Sequence, residues 1–167
     1  YGGMVEKYRC DDADSLLVTM GSMTTAARRA VDKLRKEGEN IGLLKLRFLR
    51  PFPNEELIEL AEQVDRIGVV DRVVMHGTGG GMAFQDVKST LYNTGIKVPV
   101  QNFIAGLGGE DIPIDDLYAM GKKTLSARTV RPVNPVHYIE HKFPGMPAPQ
   151  KTNSSTCMHP GSDGCAG

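Results

Sequence analysis

The chain lacks an excess of either charge: 20 Lys and Arg stand against 20 Asp and Glu in 167 residues. That balance removes the broad field by which a protein gathers nucleic acid or an anionic membrane, so charge must act locally. No apolar run is long enough to span a bilayer, and no signal-peptide pattern opens the chain. Cysteine is scarce. Three of them, an odd number and widely spaced, make no disulfide framework and point to a reducing, cytoplasmic setting. Also missing are a nucleophile beside its base, a carboxylate pair for acid–base work and a complete metal cage. The chain alone is therefore expected to be noncatalytic.

What is present is an alternation of short apolar runs with amphipathic ones. The organising stretch is Gly42 to Pro53, GLLKLRFLRPFP. Its run Leu43, Leu44, Leu46, Phe48, Leu49 is too continuous for a half-exposed strand and reads as a central strand covered on both faces. Pro51 ends it and places Arg50 at the strand's carboxyl exit. Ser15–Met20 is an earlier buried strand, stopped by Gly21. Ser22 or Thr24 is positioned to cap the helix after it, in which Ala27, Ala30, Val31 and Leu34 recur at helical steps and Gly38 supplies the stop. Asn54 is the expected cap of a second helix, with Glu55 and Glu56 in its first turn. Ile67 to Val70 and Val98 to Ile104 are two further strands, followed by helices opened by HGTGGG (residues 76 to 81) and by Ile114.

Four strands alternating with four helices imply an α/β fold: a three-layer α/β/α arrangement around an open, mainly parallel sheet. Residues 1–14 read as a linker and 15–127 as the domain. Residues 128–167 hold six of the ten prolines and read as an extended Pro/Gly-rich arm. The opening at Tyr1, GGMVEKYR onward, reads as a connection already under way, hence a piece of a larger assembly.

The glycine loops HGTGGG (His76, Gly79, Gly80, Gly81) and GLGGED (Gly106, Gly108, Gly109) fall between strand ends and helix starts, where free amides can receive an anion. Neither matches a P-loop or a dinucleotide fingerprint, and tight turns or close packing are the readier explanation of such glycines. His76 could help hold a phosphate or carboxylate. Arg50 and Arg72 both follow parallel strands, so both leave the same edge of the sheet, where a guanidinium pair could clamp a carboxylate, a phosphate or an acidic patch on another chain. Salt bridges to Asp71 or Glu55 are the plainer alternative. In the arm, Cys157, His159 and Cys165 are soft ligands whose spacing fits no standard finger and lacks a fourth donor. His137 and His141 are separated by four positions, yet flanking prolines leave little room for a helix to align them.

The succession VTMGSMTTAARRAVDKLRKEG, GLLKLRFLRPFP, VVDR and NFIAGLGGEDI, within Tyr1 to Leu125, resembles the second domain of the α subunit in the 2-oxoacid:ferredoxin oxidoreductase family. The sections Arg50-Pro51-Phe52-Pro53 and Gly106 to Gly109 look more like pyruvate enzymes than 2-oxoglutarate ones. The Gly21-Ser22 turn and the Arg50 exit are similar, more distantly, to the transketolase C-terminal domain and its counterpart in the pyruvate dehydrogenase β subunit. The resemblance implies a complex that converts pyruvate and coenzyme A to acetyl-CoA and CO2 while reducing ferredoxin or flavodoxin. It implies thiamine diphosphate, Mg2+ and [4Fe–4S] clusters in that complex, none of them held by this chain alone. Partners are then the other subunits, with no nucleic acid and no membrane. Gly21, Ser22, Arg50, Arg72 and the glycine loops would face neighbouring domains or coenzyme A phosphates. A free-standing anion-binding or regulatory module on a flavodoxin-like fold is the rival reading.

Overall fold

The computed structural model describes residues 2–128 and 136–139. Six strands form one sheet: β1 (Val5–Tyr8), β2 (Ser15–Met20), β3 (Ile41–Leu46), β4 (Arg66–Asp71), β5 (Val100–Ala105) and β6 (Val136–Ile139), in the order β1-β3-β2-β4-β5-β6. All neighbours are parallel except β1, which runs antiparallel to β3. Four helices connect them: α1 (Thr24–Lys36), α2 (Asn54–Ala61), α3 (Met82–Thr94) and α4 (Ile114–Leu125). The expected three-layer α/β/α architecture is the one observed.

Strand periodicity divides the core in two. Leu16 and Val18 of β2, Leu44 and Leu46 of β3, and Ile67 and Val69 of β4 face α2 and α3, where Leu57, Leu60, Phe84 and Val87 meet them. Leu17, Leu43, Val70 and Phe103 face the opposite way onto Ala27, Val31 and Leu34 of α1 and Leu117 and Met120 of α4. β2 pairs on both sides, with β3 and β4, and has no edge to protect. It occupies the centre that the sequence reading gave to the 42–53 stretch. β3 itself stops at Leu46, because Arg47 and Phe48 turn outward; Phe48 is exposed.

The polar segment expected to be a linker contains β1. Its Glu6 accepts ion pairs from Arg28, Lys45 and Arg47, which fix an edge strand onto β3. The basic face of α1 is likewise engaged, through Arg28–Glu6, Lys33–Asp115 and Arg35–Asp12. β6 lies in the segment expected to be an arm. It pairs with β5, and His137 stacks on Phe103 at 5.3 Å between ring centroids. Four residues flanked by proline-rich sequence carry too little periodicity to be read as a strand.

Helix ends also differ from expectation. A short 3-10 turn, Gly21–Met23, precedes α1, and neither Ser22 nor Thr24 caps it; Thr24 bonds Thr19 instead. Pro53 is the cap position of α2, and Asn54 Oδ1 accepts the Thr90 hydroxyl of α3 at 2.6 Å. Asn54 thus joins two helices.

Gly68, in the middle of β4, lets α4 approach the sheet: a Cβ there would lie 2.1 Å from Thr124 Oγ1 and 3.1 Å from the Phe103 ring. Gly68→Ala is expected to destabilise the chain by about 1–3 kcal/mol through overpacking. Urea denaturation checks this, and an unchanged midpoint would show that α4 does not sit this close.

Candidate functional site

From β2 the chain winds to β3 on one side and returns to β4 on the other, so the carboxyl ends of β2 and β4 diverge into a crevice. Open α/β sheets place ligands and partners there. A cleft of about 360 Å³ occupies it. Met20 to Met23 form one wall and Val70 to Val73 the other, with Leu49 and Met82 closing the side toward α3. The lining is largely thioether and aliphatic, with the exposed Ser22 and the half-buried Arg72 as polar groups.

Asp71 ends β4 and is buried. Its Oδ1 accepts the Ala83 amide at 2.9 Å and its Oδ2 the Phe84 amide at 3.1 Å, so it caps α3 from the preceding strand. A Cβ on Gly81 would lie 2.1 Å from that carboxylate. Gly81 is therefore required by Asp71. The anion place weighed for HGTGGG is filled by the chain's own carboxylate. Burial pushes the Asp71 carboxyl above the usual range, against the pull of the Ala83 and Phe84 amides and with a smaller upward push from Asp86. The folded state thus holds this proton more tightly than the unfolded chain. The resulting stability is present below the unfolded value and is lost as pH rises through the folded one.

Arg72 points the other way. Its Nη2 donates to the Glu110 carbonyl at 2.7 Å, its Nε to Gly106 O at 3.5 Å and its Nη1 to Ser22 Oγ at 3.4 Å. The second glycine loop wraps this guanidinium. Gly106 takes a φ of 71°, and a Cβ there would approach Glu110 O at 2.9 Å and Arg72 Nε at 3.0 Å. Gly108 and Gly109 also have positive φ and belong to a 3-10 turn, while α4 starts later, after Pro113. The loop offers carbonyls to a cation, which is the opposite polarity to an anion cradle.

Arg50 and Arg72 are not brought together as a clamp. Arg50 bonds Asp86 of α3 at 2.7 Å on one face, not Asp71 or Glu55, and lines a separate polar groove between α2 and α3 with Asn54, Ser89 and Asn93. Gly21 and Ser22 do line the cleft with Arg72. His76 is exposed on a turn closed by the Met75–Gly80 bridge and lies outside the cleft lining, as does Gly79. Gly80 is buried, with a Cβ there meeting Asn102 Nδ2 at 2.8 Å. Cys157, His159 and Cys165 lie outside the described residues, as does His141.

Two features escaped sequence reasoning. Asp71 read as a salt-bridge partner for an arginine, and only its contact with Ala83 and Phe84, 12 and 13 positions on, makes it a cap. Asn102 of β5 is fully buried with neither side-chain polar atom hydrogen-bonded among the described residues; an Asn inside an apolar run was the available signal. Among the described residues Cys10 is the sole cysteine and is buried, and no three His, Cys, Asp or Glu side chains converge as metal ligands. These donors do not suit an iron–sulfur cluster or the metal of a thiamine diphosphate site.

This sheet order and switch-point cleft define an open, doubly wound α/β domain. Its fold is similar to that of a split-gene transketolase described as an inactive β4 tetramer, with a TM-score of 0.55 at 23% identity over 70% of this chain and 39% of the other. It is also similar to a 2-oxoglutarate:ferredoxin oxidoreductase from Magnetococcus marinus, with a TM-score of 0.55 at 19% identity over 75% of this chain and 20% of the other. The family described as pyruvate:ferredoxin oxidoreductase core domain II matches residues 13–117, and the chain belongs to that family. Ketoisovalerate oxidoreductase subunit VorA of Pyrococcus abyssi is 43% identical over 122 residues, covering 73% of this chain and 31% of that protein. Pyruvate synthase subunit PorA of Methanosarcina barkeri is 37% identical over 124 residues, covering 74% and 31%. The chain thus spans about 31% of the length of these relatives.

Two outcomes test the cap. Gly81→Ala is expected to cost about 1–3 kcal/mol by displacing the Asp71 side chain, and clearly less in an Asp71→Gly background, which removes the Cβ as well as the carboxylate; additive costs in urea melts of the four proteins would refute the contact. The stability advantage of wild type over Asp71→Asn should shrink between pH 4 and pH 7, and growth of that advantage would reverse the assignment.

Proposed function

We propose that this chain is a noncatalytic subunit or fragment of a pyruvate:ferredoxin oxidoreductase complex in the cytoplasm. That complex oxidatively decarboxylates pyruvate with coenzyme A to acetyl-CoA and CO2, and passes the electrons to ferredoxin or flavodoxin. The observation that carries the reading is the family match over residues 13–117 on a matching fold. The described side chains support a noncatalytic part in it, because the carboxylate and the guanidinium at the switch point are both committed to the chain's own loops. In this reading thiamine diphosphate, Mg2+ and the [4Fe–4S] clusters are held by other parts of the complex and carry the carbon and electron chemistry. Relatives named for ketoisovalerate and for pyruvate are similarly close, so pyruvate rests on the Arg50 to Pro53 and Gly106 to Gly109 sections. The division into a domain at 15–127 and an arm at 128–167 is part of the proposal, with β1 and β6 added to the two edges of the domain's sheet.

Anion capture by the glycine loops, the basis of the rival reading, loses support from the Asp71 and Arg72 contacts. The test is anaerobic purification of the tagged chain from its source, followed by native mass spectrometry. Larger chains carrying thiamine diphosphate and iron–sulfur clusters, with pyruvate-dependent reduction of ferredoxin, are expected. A chain that emerges alone and binds a nucleotide or coenzyme A would overturn the reading. Arg50→Ala is expected to weaken that assembly more than it weakens folding, since an exposed ion pair contributes on the order of 0–1 kcal/mol. An equal loss of thermal stability and assembly would contradict this.

A further inference from the structure

Exposed apolar side chains are not scattered over this domain. Met20 is 38% exposed, Phe48 54%, Val73 45% and Leu107 39%. Met20 is the last residue of β2, and the other three stand two positions beyond the ends of β3, β4 and β5. Strand order sets them side by side along one edge as Phe48, Met20, Val73, Leu107, a row on the order of 15 Å long at a spacing of about 4.8 Å per strand. The remaining large exposed hydrophobic side chains among the described residues are Tyr92 and Tyr138, whose hydroxyls suit water. At the opposite edge the residues just before β2, β3 and β4 are Asp14, Asn40 and Asp65, all exposed. The two ends of the same strands therefore present different chemistry, and the methionine-lined cleft opens within the apolar one.

Charge adds direction. Arg9, Arg28, Arg35, Arg47, Arg50 and Arg66 each have a carboxylate partner. Arg72, in the middle of the row, bonds two carbonyls and a hydroxyl, and no carboxylate lies within ion-pair distance of it among the described residues. Neutral acceptors orient the guanidinium without cancelling its charge.

We infer that the carboxyl edge of the sheet is a docking surface for another subunit of the complex, which inserts an apolar side chain into the Met20–Met82 cleft and presents a carboxylate to Arg72. Apolar area of this kind is covered at interfaces, adaptable thioether walls accept a foreign side chain, and a pre-oriented guanidinium selects an acidic partner. The inference rests on the subunit reading above and specifies which face that subunit uses.

Hydroxyl-radical footprinting of the full chain, alone and within the purified complex, tests it. Met20, Phe48, Val73 and Leu107 are expected to lose at least fivefold in oxidation on assembly, while Tyr92 changes less than twofold. Arg72→Glu and Val73→Asp should each cut recovery of the complex about tenfold, and Tyr92→Asp should not. Val73 makes no hydrogen bond through its side chain, so its variant separates docking from the loop that Arg72 holds. Equal oxidation of the row in both states would overturn the docking surface while leaving the subunit reading intact. Protection of the row in the chain alone would also overturn it, with the chain's own C-terminal residues as the cover. A wild-type chain that never assembles would overturn the subunit reading itself.

Discussion

At the end of β4 two consecutive side chains leave the sheet in opposite directions, and each closes a loop on its own side. Asp71 turns toward α3 and receives two amides at the start of that helix. Arg72 turns toward the connection before α4 and collects carbonyls from Gly106 and Glu110. The strand's alternation makes this possible, since adjacent residues face opposite layers. A carboxylate suits the positive end of a helix, and a guanidinium suits a loop whose carbonyls converge. One dipeptide thereby ties both helical layers to the strand beside the switch point.

Both glycine loops follow from this constraint. Gly81 leaves the space that the Asp71 carboxylate fills, and Gly106 adopts a left-handed conformation so that the chain can pass close around Arg72. Their role is to let the protein bind its own charged groups. With the amides and carbonyls satisfied internally, what the switch point offers outward is an apolar cleft and one face of a guanidinium. On that chemistry the proposed docking surface rests, in a chain that matches core domain II of the pyruvate:ferredoxin oxidoreductase family.

Much of the architecture was legible in the residues. Ser15–Met20 and the run from Leu43 to Leu46 are continuous apolar segments, and such segments between amphipathic helices mean a parallel sheet covered on both faces. The edges were not legible. Val5–Tyr8 carries charges that only make sense once Arg28, Lys45 and Arg47 are seen around Glu6, and Val136–Ile139 is too short to show a period. Within the candidate site, Gly21, Ser22 and Arg72 line one cleft. Arg50 was grouped with Arg72 because strand direction shows which end a residue leaves from, and not which layer its side chain enters.

The amino-acid sequence by itself determined the class of fold and the positions of the helices and interior strands, because periodicity and strand length are local properties written every two to four residues. The tertiary structure alone decided what the charged and glycine residues do. Asp71 becomes a helix cap, Arg72 a loop anchor and Asn54 a link between helices through contacts with residues 12 to 38 positions away. No local pattern encodes such partners, since a buried carboxylate or guanidinium must be satisfied by whichever backbone group the fold brings to it.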